Sequence, residues 1–526
     1  MMALKEQLNN WRALRSWRPY FLIFIIGFLL YSQTLFFDLT YLDDNILIID
    51  HQEVLSDIKN VSTIFSTDAF FSGINFYYRP FLNLSFMFDA QLGGDSLVVY
   101  HLDNIFLHII TVCLIFIILK KILKKKPLAF FLSLIFLVHP ALTQAVAWLP
   151  GRNDSLVAIF ILLSFLCLLS FLDRPRPLSL VGYSLFFLIA LLTKETAIFF
   201  PFLAIIYFFT IGRNNCLTRN DKLLVILFSF SSGFIWWLMR SLAFSQESIG
   251  LSAAFLSIIN NLPSAFIMGA KMILPFNLSV LPIPADSSFI LSLIAWPLLI
   301  IALILSHQKR KFYLLFGVAW FLIFFIPPFA ISAAAPYILE HRLYLPMIGF
   351  LIVLSEIDWI KNLDFTKKKV KFIAIIIFLI LSIITWQHSP KFSDRLTFWQ
   401  AAANDSPHSP LANRNLGAMY YLDGKYDQAI VYYNRALKLN PQEAMAHNNI
   451  GLIYFEKENY TLAEEEFKKE LSLYPTYDKA LFNLGLLYYK TGRLEEARQF
   501  WQRALDSNPY YDEARSSLLN LQNKLR

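Results

Sequence analysis

The chain has 526 residues, of which 56% are hydrophobic, 16% aromatic and 16% charged, with a mean hydropathy of +0.50 and a formal charge of +8. That composition excludes disorder, a collagen-like fibre and a soluble globular enzyme. From Lys391 onward 17 basic residues meet 17 acidic ones, so the positive excess belongs to the apolar part, as in membrane topology and unlike a nucleic-acid face. The three cysteines, Cys113, Cys167 and Cys216, show no CxxC or metal spacing and no disulfide framework.

About 15 to 20 apolar residues of helix span a bilayer. Eleven runs near that length predict spans: Tyr20–Phe37, Ile105–Leu119, Leu128–Leu142, Leu156–Leu172, Leu178–Leu192, Ala197–Ile211, Leu223–Leu238, Phe289–Leu305, Phe312–Phe329, Leu343–Leu354 and Phe372–Trp386. The first has a basic flank (Arg12, Arg15, Arg18) and no small-residue cleavage site, so it reads as an uncleaved signal anchor. Lys120, Lys121 and Lys124–Lys126 fall on one side, as do Arg174 and Arg176, then Arg213, Arg219 and Lys222. Lys309, Arg310 and Lys311, and Lys361 with Lys367–Lys369, follow the same pattern. With the N-terminus cytoplasmic, these loops lie inside, and Asp38–Tyr100, Ser245–Ser288 and the C-terminal part lie outside. Counting Leu251–Leu281 as a span would break the pattern, so it is expected to form interfacial helices ahead of the Pro282 and Pro284 turn.

After Trp386 the sequence becomes polar and repetitive. Gly417, Gly451 and Gly485 lie one 34-residue period apart, as do Ala429, Ala463 and Ala497, then Tyr433, Phe467 and Trp501, then Pro441, Pro475 and Pro509. This is the tetratricopeptide pattern. Stepping back one period predicts a half repeat over 394–409, then repeats over 410–443, 444–477 and 478–511, and a cap over 512–526. The expected organisation is therefore all-α: a polytopic membrane unit over 1–390 and a soluble solenoid over 391–526, outside the cytoplasm. A solenoid of this kind binds partner proteins, or serves as a spacer or dimerisation arm.

Charge at membrane depth costs at least ~2.5 kcal/mol, so residues that persist there mark a site. Asp43 and Asp44 follow the first span, where like-charge proximity suits a general base or a metal, and a helix cap is the bland alternative. His101, Asn104 and His108 share one face of the second span, either lining a cavity or bonding helices together. His139 closes the third span, Gly151-Arg152-Asn153-Asp154 opens the fourth, Lys194-Glu195 joins the fifth to the sixth, and Glu340-His341-Arg342-Leu343-Tyr344 precedes the tenth. Arg79, Arg152, Lys194 and Arg342 run against the positive-inside trend and point to an anionic partner such as a lipid phosphate. Ion pairs such as Arg152 with Asp154 are the structural alternative.

The order of these pieces resembles the transmembrane and tetratricopeptide-repeat (TMTC) family of protein O-mannosyltransferases, in particular its bacterial relatives, which share the GT-C glycosyltransferase fold. The stretches that carry it are YLDDN (41–45), YRPFLNLSF (78–86), YHLDNIFLHI (100–109), HPALTQAVAWLPGRND (139–154), LLTKETA (191–197), ILPFNLS (273–279) and EHRLYLPMIGF (340–350). One departure is Gln144, where such sequences commonly carry Glu; another is the shorter repeat array.

The resemblance implies transfer of a sugar, mannose or another hexose, from a polyprenyl-phosphate donor to an acceptor hydroxyl, Ser or Thr of a protein, on the extracytoplasmic face of a bacterial plasma membrane. Asp43 or Asp44 would be the base, Asp44 being favoured. Arg342 and Lys194, with Arg152, would stabilise the departing phosphate. Arg79, Glu195, His101, Asn104, His108, His139, Glu340, His341 and Tyr344 complete the expected donor site. No cofactor or metal is expected, although a divalent ion at Asp43 and Asp44, completed by Glu340, is the alternative. A non-catalytic membrane-anchored scaffold for envelope proteins is the competing function. A transporter is disfavoured because no broken pair of spans repeats between halves.

Overall fold

A computed structural model of the chain describes residues 17–71, 77–214, 218–243, 250–330 and 339–525. Arg12, Arg15 and Cys216, and residues 245–249 of the second outer loop, lie outside the described residues. The described chain is helical, without strands. It divides into two compact units, Met1–Phe398 and Trp399–Arg526, against the border at 390/391 read from composition.

The longer helices of the first unit are α1 (Arg18–Tyr31), α2 (Pro80–Gly93), α3 (Leu97–Leu123), α4 (Lys126–Leu137), α5 (Arg152–Asp173), α6 (Pro177–Thr193) and α7 (Phe200–Phe209). They continue with α8 (Arg219–Ala243), α9 (Leu251–Asn260), α10 (Leu262–Ala270), α11 (Phe289–Ile304), α12 (Lys311–Phe325), α13 (Tyr344–Leu354) and α14 (Lys368–His388). Proline sets several starts: Pro19, Pro80, Pro127, Pro177, Pro201 and Pro263 each sit in a first turn, where the missing N–H leaves no bond unmade. Lys124, in the left-handed region at φ 57°, ends α3.

Each of the eleven apolar runs contributes a helix, and the helix lengths do not confirm eleven full spans. Among the described residues, six helical segments are long and apolar enough to cross a bilayer, and two bent pairs would raise that to eight. The helices Pro177–Thr193, Glu195–Phe209 and Phe289–Ile304 are shorter apolar helices, and α13, with 11 residues, falls short of a full crossing. The segment expected to be interfacial is two short helices, Ser252–Asn260 and Leu262–Ala270, bent by 54°, the geometry of a broken span or a re-entrant loop.

α3 is mostly buried, packed against α1, α4 and α5, while α5 lies along α6 and α12 along α13. The last contact is close because neither Gly317 nor Gly349 has a side chain: a Cβ at Gly349 would fall 2.5 Å from the Phe321 nitrogen and 2.6 Å from the Gly317 oxygen. α8 and α14 turn Phe230, Trp237, Phe372 and Leu379 outward, a surface matched to acyl chains.

The second unit consists of helix pairs Pro410–Leu422 with Tyr426–Leu439, Ala446–Glu456 with Tyr460–Leu473, and Asp478–Lys490 with Leu494–Ser507, followed by Asp512–Leu525. The 34-residue period has a steric cause. A Cβ at Gly417, Gly451 or Gly485 would stand 2.9, 2.7 or 2.6 Å from the rings of Tyr433, Phe467 or Trp501, each on the partner helix. The glycines let the aromatic rings seat between paired helices.

Gly349→Ala is expected to cost about 1–3 kcal/mol, because the atoms in its way are backbone and cannot turn aside. Gly233→Ala meets only Ile198 at 3.8 Å and is expected to be neutral. Thermal melts of the two purified variants in detergent would contradict this packing if they were equal.

Candidate functional site

The loop after α1 carries the two aspartates in an unusual backbone. Tyr41 and Asp43 both lie in the left-handed region, at φ 58° and 74°, which is strained for a bulky residue and tolerated by aspartate. Alternating conformations turn successive side chains apart. Asp44 goes inward: its carboxylate accepts from the Thr40 nitrogen at 2.7 Å, the Thr40 hydroxyl at 2.8 Å and the Asn45 nitrogen at 3.0 Å. It is buried and caps the turn Asn45–Ile49, and burial pushes its carboxyl up to about 6 despite those bonds. Asp43 is half-buried and its carboxylate accepts no hydrogen bond from the described residues. Burial raises its pKa too, opposed by the charge of Arg79. Trp148 Nε1 donates to the Leu42 carbonyl at 3.0 Å and ties the loop to the segment that precedes α5.

The first turn of α5 organises the charges around Asp43. Residues i, i+1 and i+2 of a helix point about 100° apart, so Arg152, Asn153 and Asp154 serve three different neighbours. Asp154 holds Lys194 at 2.7 Å and stands 4.0 Å from His341 Nε2. With the Asn153 amide turned so that its oxygen faces Arg79, it accepts from Arg79 Nη1 at 3.1 Å and donates to the Thr193 carbonyl at 2.8 Å. Arg79 also grips Glu195 through Nε at 3.2 Å and Nη2 at 3.1 Å, and lies over the Tyr77 ring at 4.1 Å. Arg342 is drawn to Tyr77 and Asp154 and repelled by Arg79, yet its guanidinium has no hydrogen-bond or ion-pair partner among the described residues.

Two ion pairs thus cancel, Arg79 with Glu195 and Lys194 with Asp154. Asp43 and Arg342 are left as an anion and a cation without fixed side-chain partners among the described residues. Burial lowers the pKa of Lys194 and of Arg342, and the charge of Arg79 lowers both further. Burial and the same cations push His341 well below its ordinary value, so it is neutral near pH 7.

Other expected site residues are engaged elsewhere. Arg152 is fully enclosed, with Nη1 2.5 Å from Asp89 and 3.6 Å from Asp103, Nε donating to Asn104 at 2.7 Å and Nη2 to the Tyr100 carbonyl at 2.7 Å. The alternative pairing with Asp154 is not formed, because the two point apart on the helix. Asn104 further donates to the Val146 and Trp148 carbonyls at 3.0 and 3.2 Å. His108 Nε2 faces the Leu137 carbonyl at 3.0 Å, which fixes it as the donor, so Nδ1 accepts from the Tyr344 hydroxyl at 2.6 Å. His139 Nδ1 accepts from the Ala141 nitrogen at 3.3 Å and its Nε2 meets the Met272 carbonyl at 3.3 Å. His101 is buried edge-on against Phe37 at 6.1 Å. Glu340 turns away from Arg342 to Lys271 at 2.6 Å and accepts from the Ser279 nitrogen at 3.2 Å. No group of three or more His, Cys, Asp or Glu among the described residues is arranged to hold a metal ion.

Sequence reasoning passed over Asp154 as a member of the site, and it passed over Lys271 and Asp89. Lys271 is the one charged residue in the apolar stretch 251–281, and Asp89 interrupts Phe86-Met87-Phe88, so both carried the signal of a costly buried charge. Gln144, noted as a departure, accepts from the His341 nitrogen and donates to the Val280 carbonyl, both at 3.3 Å, and so holds the turn that bears Arg342.

Fold and site define a class: a polytopic α-helical membrane protein with a cluster of paired and unpaired charges at one end of its helices, joined to a tetratricopeptide array. The family described as dolichyl-phosphate-mannose-protein mannosyltransferase matches residues 80–237, and tetratricopeptide families match 417–457 and 442–509. Protein O-mannosyl-transferase Tmtc1 of Drosophila melanogaster is 32% identical over 33% of this chain and 20% of its own length. A Caenorhabditis elegans protein O-mannosyl-transferase is 24% identical over 65% of this chain and 51% of its own. Among solved structures, the first tetratricopeptide domain of Spaghetti (RPAP3) bound to an HSP90 peptide is 27% identical over 22% of this chain and 93% of that chain, with a TM-score of 0.22. The family-model matches fall one in the first unit and two in the second, and the curated relatives are named protein O-mannosyl-transferases. The chain spans about half or less of the length of these curated relatives.

Arg152→Ala strands Asp89 without its partner and is expected to cost about 3–5 kcal/mol, seen as a collapse of folded yield or Tm in detergent. Arg342→Ala removes a guanidinium that holds no partner among the described residues and is expected to leave Tm nearly unchanged. Equal losses in the two would refute the division between structural and unpaired cations.

Proposed function

We propose that the chain is a membrane glycosyltransferase that moves a hexose, mannose by analogy with its relatives, from a polyprenyl-phosphate donor to the hydroxyl of Ser or Thr in a protein. The observation that carries this reading is the pair left over when the ion pairs cancel: an open carboxylate, Asp43, and an unpartnered guanidinium, Arg342, in one cluster. Acceptor activation needs the first and a leaving phosphate needs the second.

In this reaction the Asp43 carboxylate takes the proton of the acceptor hydroxyl as its oxygen attacks C1 of the sugar. The bond between C1 and the phosphate oxygen breaks, and the electron pair leaves on the polyprenyl phosphate. A single displacement inverts C1. Arg342 receives the phosphate charge through its free donors, while Lys194 and Arg79, held and offset by Asp154 and Glu195, line a site that binding would dry. His341, neutral, adds no competing charge. Asp44, its oxygens occupied by Thr40 and Asn45, serves better as the loop's anchor than as the base, so the preference drawn from sequence for Asp44 passes to Asp43.

The basic loops, read by the positive-inside rule, support an extracytoplasmic site for this chemistry. The tetratricopeptide unit suits capture of the protein acceptor. Deleting 404–526 would then abolish transfer to protein while sparing donor binding.

Membranes bearing the chain are expected to move labelled hexose from a polyprenyl-phosphate donor into protein. Asp43→Asn should lower the rate by about 10²–10⁴-fold and Arg342→Gln by about 10²–10³-fold, with Asp44→Asn far milder. A raised pKa at the base sets the sign of the pH dependence. Activity is full when Asp43 is ionised and falls as the pH drops through a value above the ordinary carboxylate range, a limb that Asp43→Asn lacks. Folded variants that transfer equally would overturn the reading in favour of a scaffold. Donor consumed without labelled protein would move the acceptor to a glycan or lipid.

A further inference from the structure

A cavity of about 920 Å³ opens beside α4, far from the charged cluster, with apolar walls from α1 (Leu22, Ile26), α4 (Phe131, Leu134) and α14 (Ile375, Phe378). A second cavity of about 380 Å³ shares Phe131, Leu363 and Ala374 with it and continues along α4 as far as His139. Together they make a long apolar slot charged at one end only. That end bears Lys125 and Lys371, both exposed.

The charge there is available to a ligand. Lys125 Nζ uses one donor on the Lys361 carbonyl at 2.8 Å and keeps the others, and Lys371 has no ion-pair partner among the described residues. The one acid on the rim, Asp364, is taken up by the Thr366 nitrogen at 3.0 Å and hydroxyl at 2.6 Å. The flanking stretches 120–126 and 367–371 hold nine lysines and no acid.

The slot is separate from the candidate active site. α3 has 27 residues, a rise of about 40 Å, and the partners of Arg152, Tyr100 and Asn104, sit near its start while the rim lysines lie beyond its end. A molecule with an anionic head at one end and an apolar tail fits this distribution, and a helical peptide, with charge along its length, does not. A donor polyprenyl phosphate would have its phosphate at the wrong end.

We propose that this slot binds an anionic phospholipid of the bilayer, its phosphate at Lys125 and Lys371 and an acyl chain along α4. The lysine-rich end faces the cytoplasmic leaflet by the positive-inside rule, where anionic lipids supply the occupant.

Native mass spectrometry of the full chain, released from detergent and titrated with phosphatidylglycerol, phosphatidylcholine or undecaprenyl phosphate, tests this. The expected result is tighter first-lipid binding of phosphatidylglycerol than of phosphatidylcholine, falling about fivefold for each of Lys125→Gln and Lys371→Gln. Lys125→Arg with Lys371→Arg should keep the preference, which separates charge from misfolding. Leu134→Trp, which fills the slot and leaves both lysines, should weaken all phosphatidylglycerol binding at the first site. Equal binding of the two phospholipids, or phosphatidylglycerol binding indifferent to all these variants, would show only annular lipid and overturn the proposal. A first site that prefers undecaprenyl phosphate and answers to the same lysines would overturn it in favour of the carrier lipid.

Discussion

A guanidinium sealed away from water must find partners for its charge and its N–H groups, and Arg152 does so with groups from two other helices. Asp89 comes from α2, Asn104 and the Tyr100 carbonyl from α3, and Arg152 itself opens α5. This interaction fixes the rotation of α5 about its axis. Once Arg152 points at α2 and α3, helical geometry sends Asn153 to Arg79 and Asp154 to Lys194. The arrangement of charge around Asp43 therefore depends on a residue that is not itself exposed to it.

A second constraint acts on the turn Glu340–Leu343. Glu340 is held on one side by Lys271 and the Ser279 nitrogen, and the His341 nitrogen is held by Gln144. Arg342 follows directly on these anchors, and its own side chain has no hydrogen-bond or ion-pair partner among the described residues. Preorganised cations that need no rearrangement are where electrostatic stabilisation is largest, because the folding energy has already set their positions. Buried pairs contribute little net stability once desolvation is counted, so their persistence here fits a positioning role.

Much of this was legible in the residues. The 34-residue period predicted the solenoid because the glycine and the aromatic that fills its space are fixed in spacing by helix pairing. The apolar runs located the helices, though helix length, on which crossing depends, is set by prolines and turns at the ends, and α13 with its 11 residues shows how a continuous apolar stretch can overstate a span. Charges running against the membrane trend marked Arg79, Lys194 and Arg342, all of which meet in the cluster. What the residues did not disclose was partnership. Arg152 and Arg342 look alike in the sequence, and only the packing of α2 against α3 makes one structural and leaves the other open. Asp43 and Asp44 differ by a backbone angle that a string of letters does not carry.

The account rests on Arg342 being the cation that receives a lipid phosphate. Its most direct test is the equilibrium dissociation constant of a short polyprenyl monophosphate for the full chain in detergent, measured beside Arg342→Gln and beside the corresponding polyprenyl alcohol. The account predicts that Arg342→Gln weakens binding of the phosphate by about 10- to 100-fold, with the alcohol weak against both proteins. Phosphate bound equally by a folded Arg342→Gln protein would contradict it.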